Sequence, residues 1–149
     1  MRYSPVTLAL CLAAGAASAD RVVWVDDLPL DGMNVGALLA PKARESYQST
    51  PEKPAPLRVG VRMFSRGVGS HAPSSSVYEF PNGGAKSFEA VVGVDAWVAE
   101  HAALRKMHDD AKVRFRVVAD DKVVAESPEM VSATPAFALK ADLTGAKLV

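Results

Sequence analysis

The sequence predicts an all-β domain, an antiparallel β-sandwich with one short inserted helix. Three observations carry that reading. From Leu57 onward, short apolar segments alternate with period two between turn-forming residues. Ten glycines and ten prolines punctuate 149 residues, which leaves little room for long helices. Against that background Trp97 to Asp110 is free of both and rich in Ala, Leu, Glu, Arg and Lys, which are good helix formers.

The amino terminus reads as a secretory leader spanning residues 1–19. Arg2 gives a positive n-region, Val6 to Ala17 an apolar h-region, and Ala17-Ser18-Ala19 a small-residue cleavage site before Asp20. The apolar run is too short to span a bilayer. Cys11 does not turn it into a lipoprotein signal, because Leu10 stands where a small residue belongs. The expected localisation is secreted or periplasmic, after cleavage between Ala19 and Asp20. Cleavage removes the only cysteine, so the remaining domain, residues 20–149, holds neither a disulfide nor a Cys-based metal site. Lysines and arginines number 17, as do aspartates and glutamates. That balance argues against nucleic acid and membrane as partners and favours neutral ones such as glycans or other proteins.

Val22-Val23-Trp24-Val25 starts the domain as a short strand ending at Asp26-Asp27. Residues 28–56 follow as a surface-wrapping loop broken by Pro41, Pro51, Pro54 and Pro56, with a helical turn near Val35 to Leu39. Leu57, Val59 and Val61 alternate with Arg58, Gly60 and Arg62 as a half-buried strand. Val77 to Phe80 is the next strand, closed by the turn Pro81-Asn82-Gly83-Gly84. Phe88 to Val94 is too apolar on both sides for a surface strand and belongs at the centre of a sheet. Val113 to Val118, the turn Asp120-Asp121 and Lys122 to Glu126 make a hairpin. Phe137 to Asp142 is the last strand, and the helix over 97–110 caps one end of the sandwich.

Several of these segments also carry a motif. Trp24-Val25-Asp26-Asp27 is a Trp followed by acids. Gly67, Gly69, His71, Ala72 and Ser74 form Gly-x-Gly-x-His-Ala-x-Ser, and Phe88, Ala90, Gly93 and Asp95 form Phe-x-Ala-x-x-Gly-x-Asp. Val113 to Val117, Asp120 through Ser127-Pro128, and Asp142 to Ala146 continue the order. Together they resemble the NPCBM family, carbohydrate-binding modules attached to secreted glycoside hydrolases. The likeness runs from about Trp24 to Val149. It implies a jelly-roll, galactose-binding-like sandwich with no catalytic role of its own. It also implies a glycan or polysaccharide as partner, and a carboxy-terminal catalytic domain of the same chain, with α-galactosidase-like enzymes a plausible parent. Two departures concern the binding end. Ala96 replaces an acidic residue, and the Trp97 to Asp110 insertion replaces a short loop ending in Gly-Ser. Family members also continue beyond the point matching Val149, so the closing strands are expected to be missing here and the 149-residue chain to be marginally stable.

Four residues are the candidate sugar contacts: Arg66, His71, Asp95 and Trp97. Arg66 offers hydroxyl donors, and Trp97 offers an aromatic face to the C–H-rich face of a pyranose. Each has a plainer alternative. His71 would hold a tight turn, Asp95 would be a solvated strand-end carboxylate, and Trp97 would anchor a helix to the core. Trp24, Tyr47 and Tyr78 are further stacking candidates, the first and last more suited to a core. Gly67, Gly69, Ala72, Ser74 and Gly93 are expected to be structural. No cofactor is implied, and a structural cation stays open. Asp95 alone is far from the six or more oxygens calcium takes, and Asp26-Asp27 joins it only if the fold brings them close. No nucleophile elbow, phosphate loop or paired metal histidines occur. The alternative to sugar binding is a structural sandwich that packs against a neighbouring domain. An exposed aromatic patch would favour the first and a bare apolar face the second.

Overall fold

The computed structural model describes residues 5–14, 21–35, 40–80, 84–100 and 112–149, of which 5–14 by backbone alone. Twelve short strands make up nearly all of the regular structure described: β1 (Pro5–Ala14), β2 (Arg21–Trp24), β3 (Asn34–Val35), β4 (Lys42–Ala43), β5 (Leu57–Val59) and β6 (Arg62–Phe64) precede β7 (Val68–His71), β8 (Ser74–Ser75), β9 (Ser87–Gly93), β10 (Arg116–Ala119), β11 (Lys122–Glu126) and β12 (Phe137–Asp142). The main sheet runs β12-β9-β1-β7-β4, with β2 also on β1, and every pairing is antiparallel. The hairpins β5–β6 and β10–β11 and the pair β3–β8 complete the architecture.

β9 is central, between β12 and β1. Phe88, Ala90 and Val92 turn inward, while Glu89 faces water and pairs with Lys140 on β12 at 3.0 Å. Leu139 and Ala141 of β12 continue the same inner face. Val113, Phe115, Val117 and Ala119 are buried at alternate positions and join them in one core cluster with Val25, Val68 and Met130. Removing a side chain of Val, Leu or Phe size from water stabilises by about 1.5–3 kcal/mol. The alternation along β9, β12 and the 113–119 segment is thus what holds the layers together.

The hairpin appears where expected. Asp120 and Asp121 take φ of 45° and 66°, the left-handed pair that a two-residue turn matching strand twist requires. The strand expected from Leu57 through Val61 stops at Val59. Gly60, at φ 57°, turns the chain into β6 and leaves Val61 97% exposed. Val77 to Phe80 forms no long strand, but Tyr78 and Phe80 bond to Val149 and Lys147. The expected helix is described only as α1 (Ala96–Glu100), and residues 101–111, with His101 and His108, lie outside the described residues. The turn at 81–83 and most of the helical turn expected near 35–39 do as well.

β1 falls within the segment read as a leader. It pairs with β9 from Thr7 to Ala13, with β7 from Pro5 to Leu8 and with β2 from Cys11 to Ala14. An apolar run that suits a leader also suits a central strand, because both require a continuous apolar stretch.

Candidate functional site

The segment 42–47 organises the region around the predicted contacts. β4 pairs with β7 through Lys42 opposite Gly69 and Ala43 opposite Val68, and Arg44, at φ 64°, redirects the chain toward Ser46 and Tyr47. Gly69 makes this possible. A Cβ there would strike the Glu45 carbonyl and stand 2.6 Å from Tyr47 N and 2.9 Å from Ser46 C, closer than atoms pack. Gly93 is needed in the same way, since its Cβ would collide with the Val59 side chain.

Asp95 is 1% exposed. It accepts a hydrogen bond from the Ser46 hydroxyl and another from the Trp97 backbone N–H at 2.9 Å. A carboxylate accepting from the backbone two residues on, at the first turn of α1, satisfies a donor the helix cannot. Asp95 is therefore a buried tie between loop 42–47 and α1, not a solvated strand end. His71 is half-buried, its Nδ1 lies 2.7 Å from the Ala72 carbonyl, and its ring meets Tyr47 edge-on with centroids 5.5 Å apart. Tyr47 itself is 4% exposed. The adjacent residues Ser46 and Tyr47 thus connect Asp95 on one side to His71 on the other.

Arg66 belongs to a second cluster. Its guanidinium lies over the Trp24 ring at 4.9 Å from the centroid, hydrogen-bonds Asp27 through Nη2, and holds Nε 3.1 Å from Asp26 Oδ2 off the hydrogen-bond line. Arg44 bonds the same two acids, reaching Asp26 at 2.8 Å and Asp27 directly. Asp26 is buried, so its charge requires these cations. The two acids are thereby committed to arginines, and among the described residues no group of three or more His, Cys, Asp or Glu is placed to hold a metal. One face of Trp24 is covered by the guanidinium.

Asp27 is held below the usual carboxylate value of 3.8, chiefly by the Arg66 hydrogen bond and then by the Arg66 and Arg44 charges. A carboxylate with a lowered native pKa stabilises the fold above its unfolded pKa, and that contribution fades as pH falls through the native value. Asp27→Asn is therefore expected to flatten the loss of stability below about pH 4. Urea unfolding of both proteins at pH 7 and pH 3 checks it. An unchanged pH 7 to pH 3 difference in the variant counts against the role of this group.

Trp97 is half-buried and lines an open cleft of about 320 Å³ with Pro54, Pro56, Arg58, Met63 and Glu100. Arg58 and Glu100 form an ion pair at its wall. An aromatic side chain beside a paired donor and acceptor is the combination that a pyranose, with one apolar face and equatorial hydroxyls, can use. The structure thus brings Asp95 and Trp97 together, links His71 to them through Ser46 and Tyr47, and places Arg66 in the charged cluster beside Trp24. Arg58 and Glu100 carried no signal in the sequence. Arg44 and Ser46 carried none either, since their roles depend on which distant strand their loop crosses.

The sequence profile of the NPCBM/NEW2 domain matches residues 21–149. The chain belongs to the NPCBM/NEW2 family. Two solved structures are similar to it in fold, both of the CBM51-2 and INT domains of ZmpB from Clostridium perfringens, one of them in complex with GlcNAc. Each is 18% identical with a TM-score of 0.64, and the matches cover 95% and 96% of this chain and 32% of each of those chains. At that identity the likeness shows the fold, an all-β galactose-binding-like architecture. Among curated proteins none matches the chain. The chain spans about a third of the length of the structures it resembles.

Proposed function

We propose that this NPCBM/NEW2 domain is a secreted, non-catalytic carbohydrate-binding module whose sugar contact centres on Trp97. Membership of the family over residues 21–149 is the observation that carries the reading, and the aromatic face of Trp97 beside the Arg58–Glu100 pair supports it. In this reading Trp97 stacks on the pyranose, Arg58 and Glu100 meet its hydroxyls, and Asp95 and His71 fix the loops that shape the cleft. Arg66 acts from the neighbouring charged cluster. The domain tethers a glycoside hydrolase of the same chain, α-galactosidase-like in kind, to its glycan. Tethering raises effective substrate concentration, so modest affinity suffices. The leader, residues 1–19, directs export.

Calorimetric titration of the full chain with GlcNAc and with galactose tests the proposal. The neighbour's complex makes GlcNAc the first probe. Trp97→Ala is expected to weaken binding about tenfold, the equivalent of about 1.4 kcal/mol, with little change in the unfolding midpoint. Unchanged affinity in the variant removes Trp97 from the site, and an absence of binding to any glycan on an array overturns the module reading.

One observation favours the packing alternative. The exposed large apolar side chains among the described residues are aliphatic or Met, including Val77 at 64% and Val123 at 54%, and none is aromatic.

A further inference from the structure

We infer that the cleft beside Trp97 selects a glycan carrying a negative charge, a sulfated or carboxylated sugar, and that Lys53 is the residue that selects it. The inference rests on the Trp97 reading proposed above and names the class of ligand.

Charge is balanced over the whole chain, with 17 basic and 17 acidic residues, but not around this cleft. From Lys53 to Met63 the chain holds Lys53, Arg58 and Arg62 and no acid. Lys53, Arg58 and Met63 all belong to the cleft wall, and Arg62 precedes Met63 on β6. Two carboxylates line the same cleft, Asp95 and Glu100. Both are engaged elsewhere. Glu100 pairs with Arg58, and Asp95, 1% exposed, accepts from the Ser46 hydroxyl and the Trp97 N–H. Arg62 lies over the Phe64 ring, 5.4 Å from its centroid. Three cations against two carboxylates leave one positive charge in excess. Lys53 is exposed, and among the described residues its ammonium makes no ion pair or hydrogen bond.

The backbone that carries Lys53 is held in place by its own turn. Thr50 and Lys53 exchange backbone hydrogen bonds at 3.1 Å in both directions, and the Thr50 hydroxyl also accepts from the Lys53 N–H at 3.1 Å. Pro51 within the turn, with Pro54 and Pro56 after it, restricts the chain further. The ammonium therefore starts from a fixed point on the wall. A neutral hydroxyl gains from it one more ordinary hydrogen bond. A sulfate or carboxylate gains a charge-assisted one, roughly twice as strong. Trp97 then holds the ring of the sugar, and Lys53 discriminates by its substituent.

The test titrates the full chain with GlcNAc and with GlcNAc sulfated at its primary hydroxyl, two sugars that differ in that group alone. The sulfated sugar is expected to bind about fivefold more tightly at low ionic strength, the upper range for an exposed ion pair. That advantage should vanish in about 1 M salt, where screening acts within about 3 Å. Lys53→Gln should remove most of it, whereas Lys122→Gln, the same charge change on β11 outside the cleft, should preserve it. Equal affinities for the two sugars, or an advantage that survives Lys53→Gln, overturn the inference. Equal weakening of both sugars in Lys53→Gln overturns it too, since Lys53 would then serve as a neutral donor. GlcNAc binding without preference for the sulfate sinks this inference alone, while an array with no bound glycan sinks the module reading and this inference with it.

Discussion

A chain that starts at Asp20 is expected to unfold at a midpoint about 10 °C or more below that of the chain that keeps its first nineteen residues. The reason lies in the position of β1, which fills the place between β9 and β7 and faces seven residues of one and four of the other, with four more of β2. Its removal leaves two strands with unpaired N–H and C=O groups at the centre of the sheet, above Phe88, Ala90, Val92 and Val68. Each lost hydrogen bond costs on the order of 1 kcal/mol or less, yet a typical domain has only about 5–15 kcal/mol of stability. Paired thermal melts of residues 1–149 and 20–149, with a dye for exposed apolar surface, measure the difference. Coincident midpoints would mean that β1 contributes no stability. Leader cleavage and this strand make opposite demands on the same ten residues. If processing occurs after Ala19, the mature module needs another segment between β7 and β9.

What the sequence made legible was local. The Asp120-Asp121 hairpin, the β12 boundaries and the central place of β9 follow from turn chemistry and from hydrophobicity along a few consecutive residues. The site was legible only in pieces. Asp95 and Trp97 are two apart, so their contact through a helix cap is short-range and open to sequence reasoning, although the motif suggested a strand end. The Ser46–Asp95 tie spans 49 positions and depends on Gly69 admitting the 45–47 backbone, a steric fact with no periodic signature. The acids at 26 and 27 look like a solvated pair until Arg44 and Arg66 are brought to them from 17 to 39 residues away. Val61 misled because period-two alternation persists through a turn when glycine occupies the bend.

Asp95→Ala should be among the most damaging single substitutions in this domain, costing about 3 kcal/mol. Three contributions act together. The Trp97 N–H loses its acceptor at the start of α1, a loss of cap worth about 1 kcal/mol. The Ser46 hydroxyl, in a residue with no exposed surface, is left without the carboxylate it donates to, and an orphaned buried donor costs about 1–3 kcal/mol. The missing carboxylate also leaves a void among fully buried neighbours. Asp95→Asn keeps the oxygen that faces Trp97 and a polar group toward Ser46, so it should cost clearly less. The Ser46→Ala variant and the Ser46→Ala, Asp95→Ala pair close a double-mutant cycle, and a coupling of about 1 kcal/mol or more is expected for groups in direct contact. Urea unfolding of the four proteins gives the coupling directly. Additive losses would show that the two side chains act separately and that Asp95 serves α1 alone. Binding then separates structure from recognition. Asp95→Asn that unfolds nearly as the parent yet binds GlcNAc more weakly would make the carboxylate itself a sugar contact, whereas equal losses in stability and affinity in Asp95→Ala would leave it as the tie that holds Trp97 in place.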